Sequence, residues 1–304
     1  MPEICLLGTG GMLPLKDRFL TSLYAEYNGK AVLIDCGEGT QVAIAKHGLK
    51  MSKIELILIT HCHADHVTGL PGLLLSIGNS SRTQPLDIFA PESSLTVLRS
   101  LLSVCGGLPY EVRFHGLSET QPTEFCADSI DPMLTIKTLP LSHTVQCIGY
   151  SLCLERKPVF EPQKAKAAGV PVEYWKRLHS GENVTLEDGR SIAPEDVTGE
   201  KRPPVKVTYT TDTLPVAELK DFAESSDLFI CEGMYGSLDK KESMNEKRHM
   251  LMQDACEIAK KAGAKQLWLT HYSPAEKEPA VYEEELKELF PDVVITEDGR
   301  KLSL

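Results

Sequence analysis

Short apolar runs alternate along the chain with amphipathic stretches, as strands alternate with helices. The apolar runs have the length of buried strands, and the amphipathic stretches repeat apolar side chains at helical spacing. We predict strands over residues 3–8, 20–27, 31–35, 54–59, 86–90, 112–115, 133–139, 146–154, 205–209, 228–232, 265–269 and 293–296. We predict helices over residues 41–46, 68–78, 92–104, 246–262 and 281–290. This order predicts an α/β fold.

Local signals mark several boundaries between these elements. Asn28 and Gly29 form a dipeptide typical of a two-residue hairpin turn between two strands. Thr40 is a candidate N-cap for the first helix, because its hydroxyl can accept a hydrogen bond from the first turn. Gly263 is placed to end the helix over 246–262.

Four candidate metal ligands follow the apolar run 54–59 directly. They are His61, His63, Asp65 and His66. Side chains two positions apart point the same way in extended backbone, so His61 and His63 can share one metal ion. Asp65 and His66 lie one turn further on and can reach a second ion. Imidazoles with a carboxylate suit borderline ions such as zinc, whereas a surface loop would not be expected to place them directly after a buried strand.

The H-x-H-x-D-H pattern resembles the signature of the metallo-β-lactamase superfamily. With GTGG at 8–11, DCGEGTQ at 35–41 and GLPGLL at 69–74, the chain resembles the ribonuclease Z family, which matures tRNA 3′ ends. The resemblance extends from about residue 3 to about residue 295. It implies an αββα metallo-β-lactamase-type sandwich in a single metallo-hydrolase domain over 1–304, with an inserted protruding arm over 156–206.

The same resemblance implies the remaining ligands. His143 follows a predicted strand and precedes Gly149-Tyr150, as a family metal histidine does. By residues alone it is a lone histidine after a strand, which does not by itself identify a ligand. Asp212 stands in TTDT, where the family has TGDT, and His271 ends LWLTH, which repeats LILITH at 56–61. The implied cofactors are two divalent metal ions, expected to be zinc. The implied ligands are His61, His63 and His143 for one ion, Asp65, His66 and His271 for the other, and Asp212 between them.

Three residues are candidates for catalysis. Asp65 would orient the attacking water and accept its proton. His249, on the helix predicted over 246–262, aligns with a family histidine that acts on the scissile phosphate, and Glu232 would orient it. The alternative for His249 is an ordinary helix-surface residue. The family follows this histidine with Ser, Thr and a later Gln, whereas this chain has Met250, Leu251 and Asp254. Asp35 is a candidate to accept a hydrogen bond from a ligand histidine.

Residues 156–206 differ from the rest of the chain in composition. Six prolines fall within this stretch, and residues 156–177 hold six Lys/Arg against two Glu. The stretch resembles the family arm that holds tRNA through KAKAAGVP at 164–171 and VTLEDGRSIAPEDV at 184–197. Val172-Glu173-Tyr174-Trp175 replaces the Gly-Pro pair common at the arm tip, and its aromatic side chains could stack on RNA. A solvated surface lobe is the alternative.

The net charge, the cysteines and the lengths of the apolar runs limit the classes of protein that are possible. The net charge is −11 and the isoelectric point about 5.4, which disfavours a nonspecific nucleic-acid binder, so RNA would have to meet a local basic patch. The nine cysteines include no C-x-x-C pair, which predicts reduced thiols, and Cys62 is expected to be a packing residue. No window has the roughly 18 consecutive apolar residues of a membrane helix. The N-terminus lacks a basic leader, so a cytoplasmic protein is expected.

Three functions are compatible with these patterns. The resemblance implies a metal-dependent endoribonuclease that removes 3′ trailers from precursor tRNA, acting as a homodimer. The acidic composition and the altered residues favour an alternative, a hydrolase of a small phosphodiester, sulfate ester or lactone on the same scaffold. A metal-binding module without catalysis is disfavoured, because all seven ligand positions are present.

Overall fold

The computed structural model describes residues 2–304 and contains two seven-stranded sheets. The strands are β1 (Glu3–Gly8), β2 (Ser22–Tyr27), β3 (Lys30–Ile34), β4 (Ile54–Leu58), β5 (Leu86–Pro91), β6 (Val112–Leu117), β7 (Glu124–Cys126), β8 (Leu134–Leu141), β9 (Cys147–Arg156), β10 (Val184–Thr185), β11 (Ser191–Ile192), β12 (Arg202–Thr210), β13 (Leu228–Glu232), β14 (Leu267–Thr270), β15 (Val293–Ile295) and β16 (Arg300–Ser303). The helices are α1 (Thr40–Lys46), α2 (Ala64–Val67), α3 (Leu70–Asn79), α4 (Leu95–Leu102), α5 (Pro162–Ala167), α6 (Val172–Ser180), α7 (Leu219–Phe222), α8 (Lys241–Lys247), α9 (Met252–Ala262) and α10 (Glu283–Leu289).

The first sheet has the order β16-β1-β2-β3-β4-β5-β6. Its first four strands are antiparallel neighbours, and β3 to β6 are parallel. Apolar side chains of these strands pack with those of α1, α3 and α4 in one buried core, which includes Leu33, Ile57, Leu73 and Leu98. The parallel strands are therefore buried under a helical layer, as parallel sheets require.

The second sheet has the order β15-β14-β13-β12-β9-β8-β7. Strands β12 to β15 are parallel, and β7 pairs with β8 in antiparallel fashion. A second core joins this sheet to α7, α9 and α10 and includes Phe229, Leu267, Ala255 and Leu286. Each sheet thus has its own helical layer, and the predicted αββα arrangement is confirmed.

Hydrogen bonds join the two sheets beside the end of β4. The Tyr150 hydroxyl donates to the carbonyl of Ile59 at 2.8 Å, and the Ile148 N–H donates to the carbonyl of Thr60 at 3.0 Å. Both bonds involve β9 of the second sheet and the residues that lead to the histidine cluster. The loop after β4 is therefore held from both sheets.

Residues Leu154–Val205 form a second compact unit. Its bounds differ by only one or two residues from those of the arm predicted over 156–206. It contains α5, α6 and the hairpin β10–β11, and it has a small core of its own that includes Ala165, Leu178 and Ile192. Tyr174 and Trp175 pack against this core, and the Trp175 indole N–H donates to the carbonyl of Val170 at 3.0 Å. The indole therefore packs against the core of its own unit while staying partly exposed, and stacking of this aromatic pair on RNA stays a prediction.

Two predicted helix features are wrong. The helix predicted over 246–262 is divided into α8 and α9, because Arg248 adopts a left-handed conformation and Leu251 is extended. His249 therefore lies in the loop between two helices. Thr40 is the first residue of α1 and not its N-cap, since Gly39 holds that position and the Thr40 hydroxyl donates to the carbonyl of Gly37.

Other local predictions are confirmed. The hairpin turn has positive φ at Asn28 and Gly29, and Gly263 ends α9 in a left-handed conformation. Cys62 packs beside the first core and donates to the carbonyl of Ser94. Strand β16 was not predicted. Among residues 2–304, no helix has the length and hydrophobicity needed to span a membrane.

Candidate metal centre

The seven predicted ligands lie where strands of both sheets end. The loop after β4 and the short helix α2 supply four of them, and the segments after β8, β12 and β14 supply one each. Because the chain folds these strand ends together, the side chains form two groups of possible metal ligands, each with donor atoms within 4.8 Å of one another. The groups are His61, His63, His143 and Asp212, and Asp65, His66 and His271.

The first group contains three imidazole nitrogens directed toward one another. His63 Nδ1 and His143 Nε2 are 3.2 Å apart. His61 Nε2 is buried and has no hydrogen-bond partner within residues 2–304. Leaving a buried polar atom unpaired is unfavourable, and a cation between these nitrogens would give His61 Nε2 the partner that it lacks. The arrangement fits a divalent ion of the zinc type.

Asp212, a member of the first group, also lies next to the second. His271 Nε2 lies 3.2 Å from His66 Nε2 and 3.3 Å from Asp65 Oδ2. Asp212 Oδ1 is 3.1 Å from His271 Nε2, whereas its Oδ2 is 3.6 Å from His61 and from His143. The two oxygens of one carboxylate thus face the two groups, which is the position that a bridging ligand needs.

Burial and charge act against each other at these groups. Burial alone would raise the pKa of Asp212, but His271 and His66 hold it well below its usual range. Burial alone would lower the pKa of His66, but Asp212 and Asp35 raise it well above its usual range. Asp212 is therefore an ionised carboxylate, the form that binds a cation.

Hydrogen bonds from outside the cluster fix the orientation of its rings. Asp35 Oδ2 lies 2.8 Å from His66 Nδ1, and Asp35 Oδ1 accepts the N–H of Thr60 at 2.8 Å. Asp35 thus contacts a ring of the cluster, as predicted. The carbonyl of Arg248 lies 3.1 Å from His143 Nδ1. In both histidines Nδ1 is engaged and Nε2 is directed at the cluster, as in metal-binding histidines generally.

His249 and Glu232 form a buried pair beside the cluster. His249 Nδ1 lies 2.9 Å from Glu232 Oε2, and the N–H of Thr213 donates to the other carboxylate oxygen. The His249 ring centroid is 4.9 Å from that of His143. Burial alone would lower the pKa of His249, but the Glu232 carboxylate raises it to about 9. Glu232 therefore favours the protonated form of His249, which can act as an acid.

Two further contacts were not predicted from the sequence. The N–H of Met12 donates to Asp65 Oδ2 at 2.6 Å, and the carbonyl of Arg248 holds His143. Both partners are main-chain atoms, so residue types carry no signal for them. Within the GTGG stretch at 8–11, Gly11 approaches the site closely, because a Cβ there would lie 2.5 Å from the His271 ring.

Known structures with a similar fold identify the fold class of the protein. Human tRNase Z, short form, has a TM-score of 0.69 with 24% identity, and covers 99% of this chain and 98% of its own. The metallo-β-lactamase fold protein YhfI from Bacillus subtilis has a TM-score of 0.69 with 18% identity and the same coverage. The protein therefore has the metallo-β-lactamase fold, with a His/Asp cluster suited to divalent metal ions.

Sequence comparison then identifies the family. A protein named Ribonuclease Z from Clostridium acetobutylicum is 46% identical over 310 residues, which is 100% of this chain and 98% of the relative. The Ribonuclease Z of Lachnospira eligens is 43% identical over 305 residues, with the same coverage. Residues 2–170 match the family model described as Anti-Pycsar protein Apyc1. The chain belongs to the ribonuclease Z family and, through residues 2–170, also to the family of that model.

Proposed function

We propose that this protein is a metal-dependent endoribonuclease that removes 3′ trailers from precursor tRNA. The observation that carries the proposal is the seven-residue cluster with the His249–Glu232 pair beside it, in a chain related over its whole length to ribonuclease Z. Hydrolysis of a small phosphodiester, sulfate ester or lactone is less favoured, because the ribonuclease Z relatives match the whole chain.

The proposal assigns two zinc ions to the cluster. His61, His63 and His143 would hold one ion, Asp65, His66 and His271 would hold the other, and Asp212 would contact both. Two such ions supply Lewis-acid stabilisation of charge on the phosphate and make water a stronger nucleophile at neutral pH. Nitrogen and oxygen donors in this number fit zinc, and manganese and iron are the competitors that metal analysis must exclude.

Two side chains of the protein accept and donate the protons of the reaction. Asp65 orients the attacking water and accepts its proton as the new P–O bond forms, while the Met12 N–H holds the carboxylate in place. The bond from phosphorus to the 3′-oxygen breaks, and His249 gives its proton to that oxygen. Glu232 favours the protonated form of His249 beforehand. The products are a tRNA with a 3′-hydroxyl and a trailer with a 5′-phosphate.

His249 could be a metal ligand instead of an acid, and one variant distinguishes the two roles. It also falls within a third group of possible ligands, with Asp212 and His271. The variant His249→Ala should lower turnover of precursor tRNA by about 100-fold while two metal ions remain bound, because an acid contributes to the rate and not to metal affinity. A loss of metal in this variant would show that His249 is a ligand, and a normal rate would remove it from the reaction.

The unit Leu154–Val205 is the proposed tRNA-binding arm. It carries nine Lys/Arg and nine Asp/Glu, so it is neutral, whereas the rest of the chain carries the whole net charge of −11. Four of its cations form ion pairs within the unit, including Lys164 and Arg190. Lys166 and Lys176 are exposed and have no ion pair within residues 2–304. These free cations are the ones expected to contact phosphates.

Deletion of the arm and removal of its exposed positive charges both test its role in tRNA binding. Replacing residues 158–203 with a Gly/Ser linker should leave hydrolysis of bis(p-nitrophenyl) phosphate within about tenfold of normal and weaken binding of precursor tRNA by about 100-fold. Changing Lys166 and Lys176 to Gln should lower the salt dependence of tRNA binding, whereas changing the paired Lys164 and Arg190 should have less effect. Normal cleavage of precursor tRNA without the arm would refute its role.

The decisive experiment for the function is cleavage of a 3′-extended precursor tRNA with mapping of the cut. A cut at the 3′ end of the mature sequence supports the proposal. Hydrolysis of small esters without any cut in the precursor would refute it and leave the small-substrate alternative.

Homodimerisation and a cytoplasmic location stay predictions of the sequence. A surface for self-association is available on α3, α4 and the turn that follows α4, where Leu75, Val97 and Val104 are exposed apolar side chains. Light scattering should give the mass of a dimer, and Val104→Glu should convert it to a monomer if this surface is the interface. A monomeric wild-type protein would refute the prediction.

A further inference from the structure

A cavity of about 720 Å³ lies directly beside the metal cluster. His143 is one of the possible metal ligands and also lines this cavity, so the cavity is adjacent to the proposed metal site. Ser142, Thr144 and Gln146 contribute neutral polar groups to the lining. Its charged side chains are Glu218 and Arg248, and both are exposed. The cavity therefore offers a polar site for a group that extends from the cluster.

Arg248 has an unusual position in this lining. Its φ is 58°, in the left-handed region that glycine adopts freely and that larger side chains rarely adopt. This conformation directs the Arg248 carbonyl to His143 Nδ1 at 3.1 Å. Glycine would present the same carbonyl without conformational strain. The backbone geometry therefore does not explain why an arginine stands here, and its side chain needs an explanation of its own.

The guanidinium group is held in place but is left largely free to bind. Its Nη1 donates to the carbonyl of His143 at 3.0 Å. A guanidinium has five N–H donors, and within residues 2–304 no other hydrogen bond and no ion pair engages those of Arg248. The side chain is thus anchored at one nitrogen on the residue whose ring joins the metal cluster. Its remaining donors are available to a ligand in the cavity.

We propose that Arg248 binds the phosphate next to the scissile one, with the intervening nucleoside in this cavity. The proposal rests on the proposed function, because it assumes that the phosphodiester at the cluster belongs to a nucleic acid. The planar fork of arginine matches two phosphate oxygens at once. The neutral polar lining can contact the sugar and the base. In a chain of net charge −11, a fixed cation at this wall gives a second phosphate a favourable place.

A purely structural role is the competing explanation. The bond from Nη1 to the His143 carbonyl ties the loop between α8 and α9 to the end of β8, and this tie alone could be the function of the side chain. A structural tie would act equally on ligands with one phosphate and with two. A phosphate-binding role would act only on the second phosphate, so the two explanations differ in a measurable ratio.

The test compares adenosine 3′,5′-bisphosphate with 5′-AMP and 3′-AMP as inhibitors of bis(p-nitrophenyl) phosphate hydrolysis by the metal-loaded protein. All three ligands contain adenosine, and each monophosphate lacks one phosphate of the bisphosphate. The comparison therefore holds whether the 3′- or the 5′-phosphate binds at the cluster. The bisphosphate should bind the wild-type protein at least about tenfold more tightly than either monophosphate, as one charge-assisted phosphate contact implies. Calorimetric titration of the same three ligands gives the ratio without reliance on turnover.

Substitutions at Arg248 should change this ratio. Arg248→Gly keeps the left-handed backbone and its carbonyl while removing the guanidinium, and should bring the ratio to within about twofold of unity. Arg248→Lys keeps the charge without the fork and should give an intermediate ratio. Lys247→Gln removes a neighbouring exposed cation that does not line the cavity, and should leave the ratio as in the wild type.

The outcomes separate this proposal from the proposed function. A ratio near unity in the wild type, or an unchanged ratio in Arg248→Gly, would overturn the role of Arg248. If Arg248→Gly does not fold, the ratio in Arg248→Lys decides, and a wild-type value there overturns the role. A wild-type protein that fails to cut precursor tRNA refutes the proposed function, while the ratio still decides on Arg248 because no tRNA enters the measurement.

Discussion

Gly11 is the position where one added methyl group should disable the metal centre. A Cβ on Gly11 would lie 2.5 Å from Cε1 of His271 and 2.8 Å from both ring nitrogens. The backbone of Gly11 is poorly able to retreat, because its N–H donates to the carbonyl of Tyr272 at 3.0 Å and the N–H of Tyr272 donates to Thr9. The His271 ring would therefore have to move in the variant Gly11→Ala.

The size of this movement can be read from the structure. The contact has to open from 2.5 Å to the 3.4 Å at which ordinary van der Waals contact begins, so the ring shifts by about 1 Å. His271 Nε2 stands 3.1 Å from Asp212 Oδ1 and 3.3 Å from Asp65 Oδ2. Metal–ligand distances tolerate only about 0.2 Å, and a misplacement of about 1 Å costs about 100-fold in rate. We expect loss of one metal ion and about a 100-fold fall in turnover.

The assay combines metal analysis after dialysis, hydrolysis of bis(p-nitrophenyl) phosphate and thermal unfolding. Gly107→Ala is the matched control, because a Cβ there meets no atom within 4 Å and its φ lies outside the left-handed region. The control should match the wild type in all three measurements. Full metal content and a normal rate in Gly11→Ala would refute the reasoning, since they would mean that His271 is not confined where the structure places it.

Three further substitutions test separate parts of the structure. Asp212→Ala should lower metal occupancy at both positions, since its two oxygens face both groups, and full occupancy by metal analysis would sink its role as a bridge. Asp35→Asn should weaken metal binding by about 10- to 100-fold through the loss of its bond to His66, and an unchanged chelator titration would contradict this. Trp175→Ala should destabilise the arm by about 2 kcal/mol, because it removes a large partly buried side chain. Limited proteolysis should then cut first within Leu154–Val205 with metal content unchanged, and wild-type resistance would show that the indole is dispensable.

Much of the main fold was predictable because its signals are local. A buried strand requires an uninterrupted apolar run, so the strand Leu228–Glu232 was predicted with its observed bounds. The turn at Asn28-Gly29 and the helix end at Gly263 follow from backbone conformations that few residues adopt. The four residues His61, His63, Asp65 and His66 form a dense cluster within one loop, so the sequence alone pointed to a metal site there.

The other ligands depended on family resemblance as well as on local pattern. His143 and Asp212 are single residues in the sequence, and nothing near them identifies a partner. The structure brings them to His61 because β8 and β12 end beside the loop after β4, and such proximity arises only when the sheets assemble. Their role as ligands stays a prediction that metal analysis can test.

Only the tertiary structure decided the features that depend on competition between local preference and distant contacts. The stretch 246–262 has the pattern of one helix, yet Arg248 turns left-handed, where its carbonyl reaches His143 across the fold. The sequence left the contacts of Trp175 open, and the structure packs its side chain against the small core of its own unit. A sequence records the side chains that each segment offers, whereas the contacts that each side chain makes depend on which distant segments fold against it.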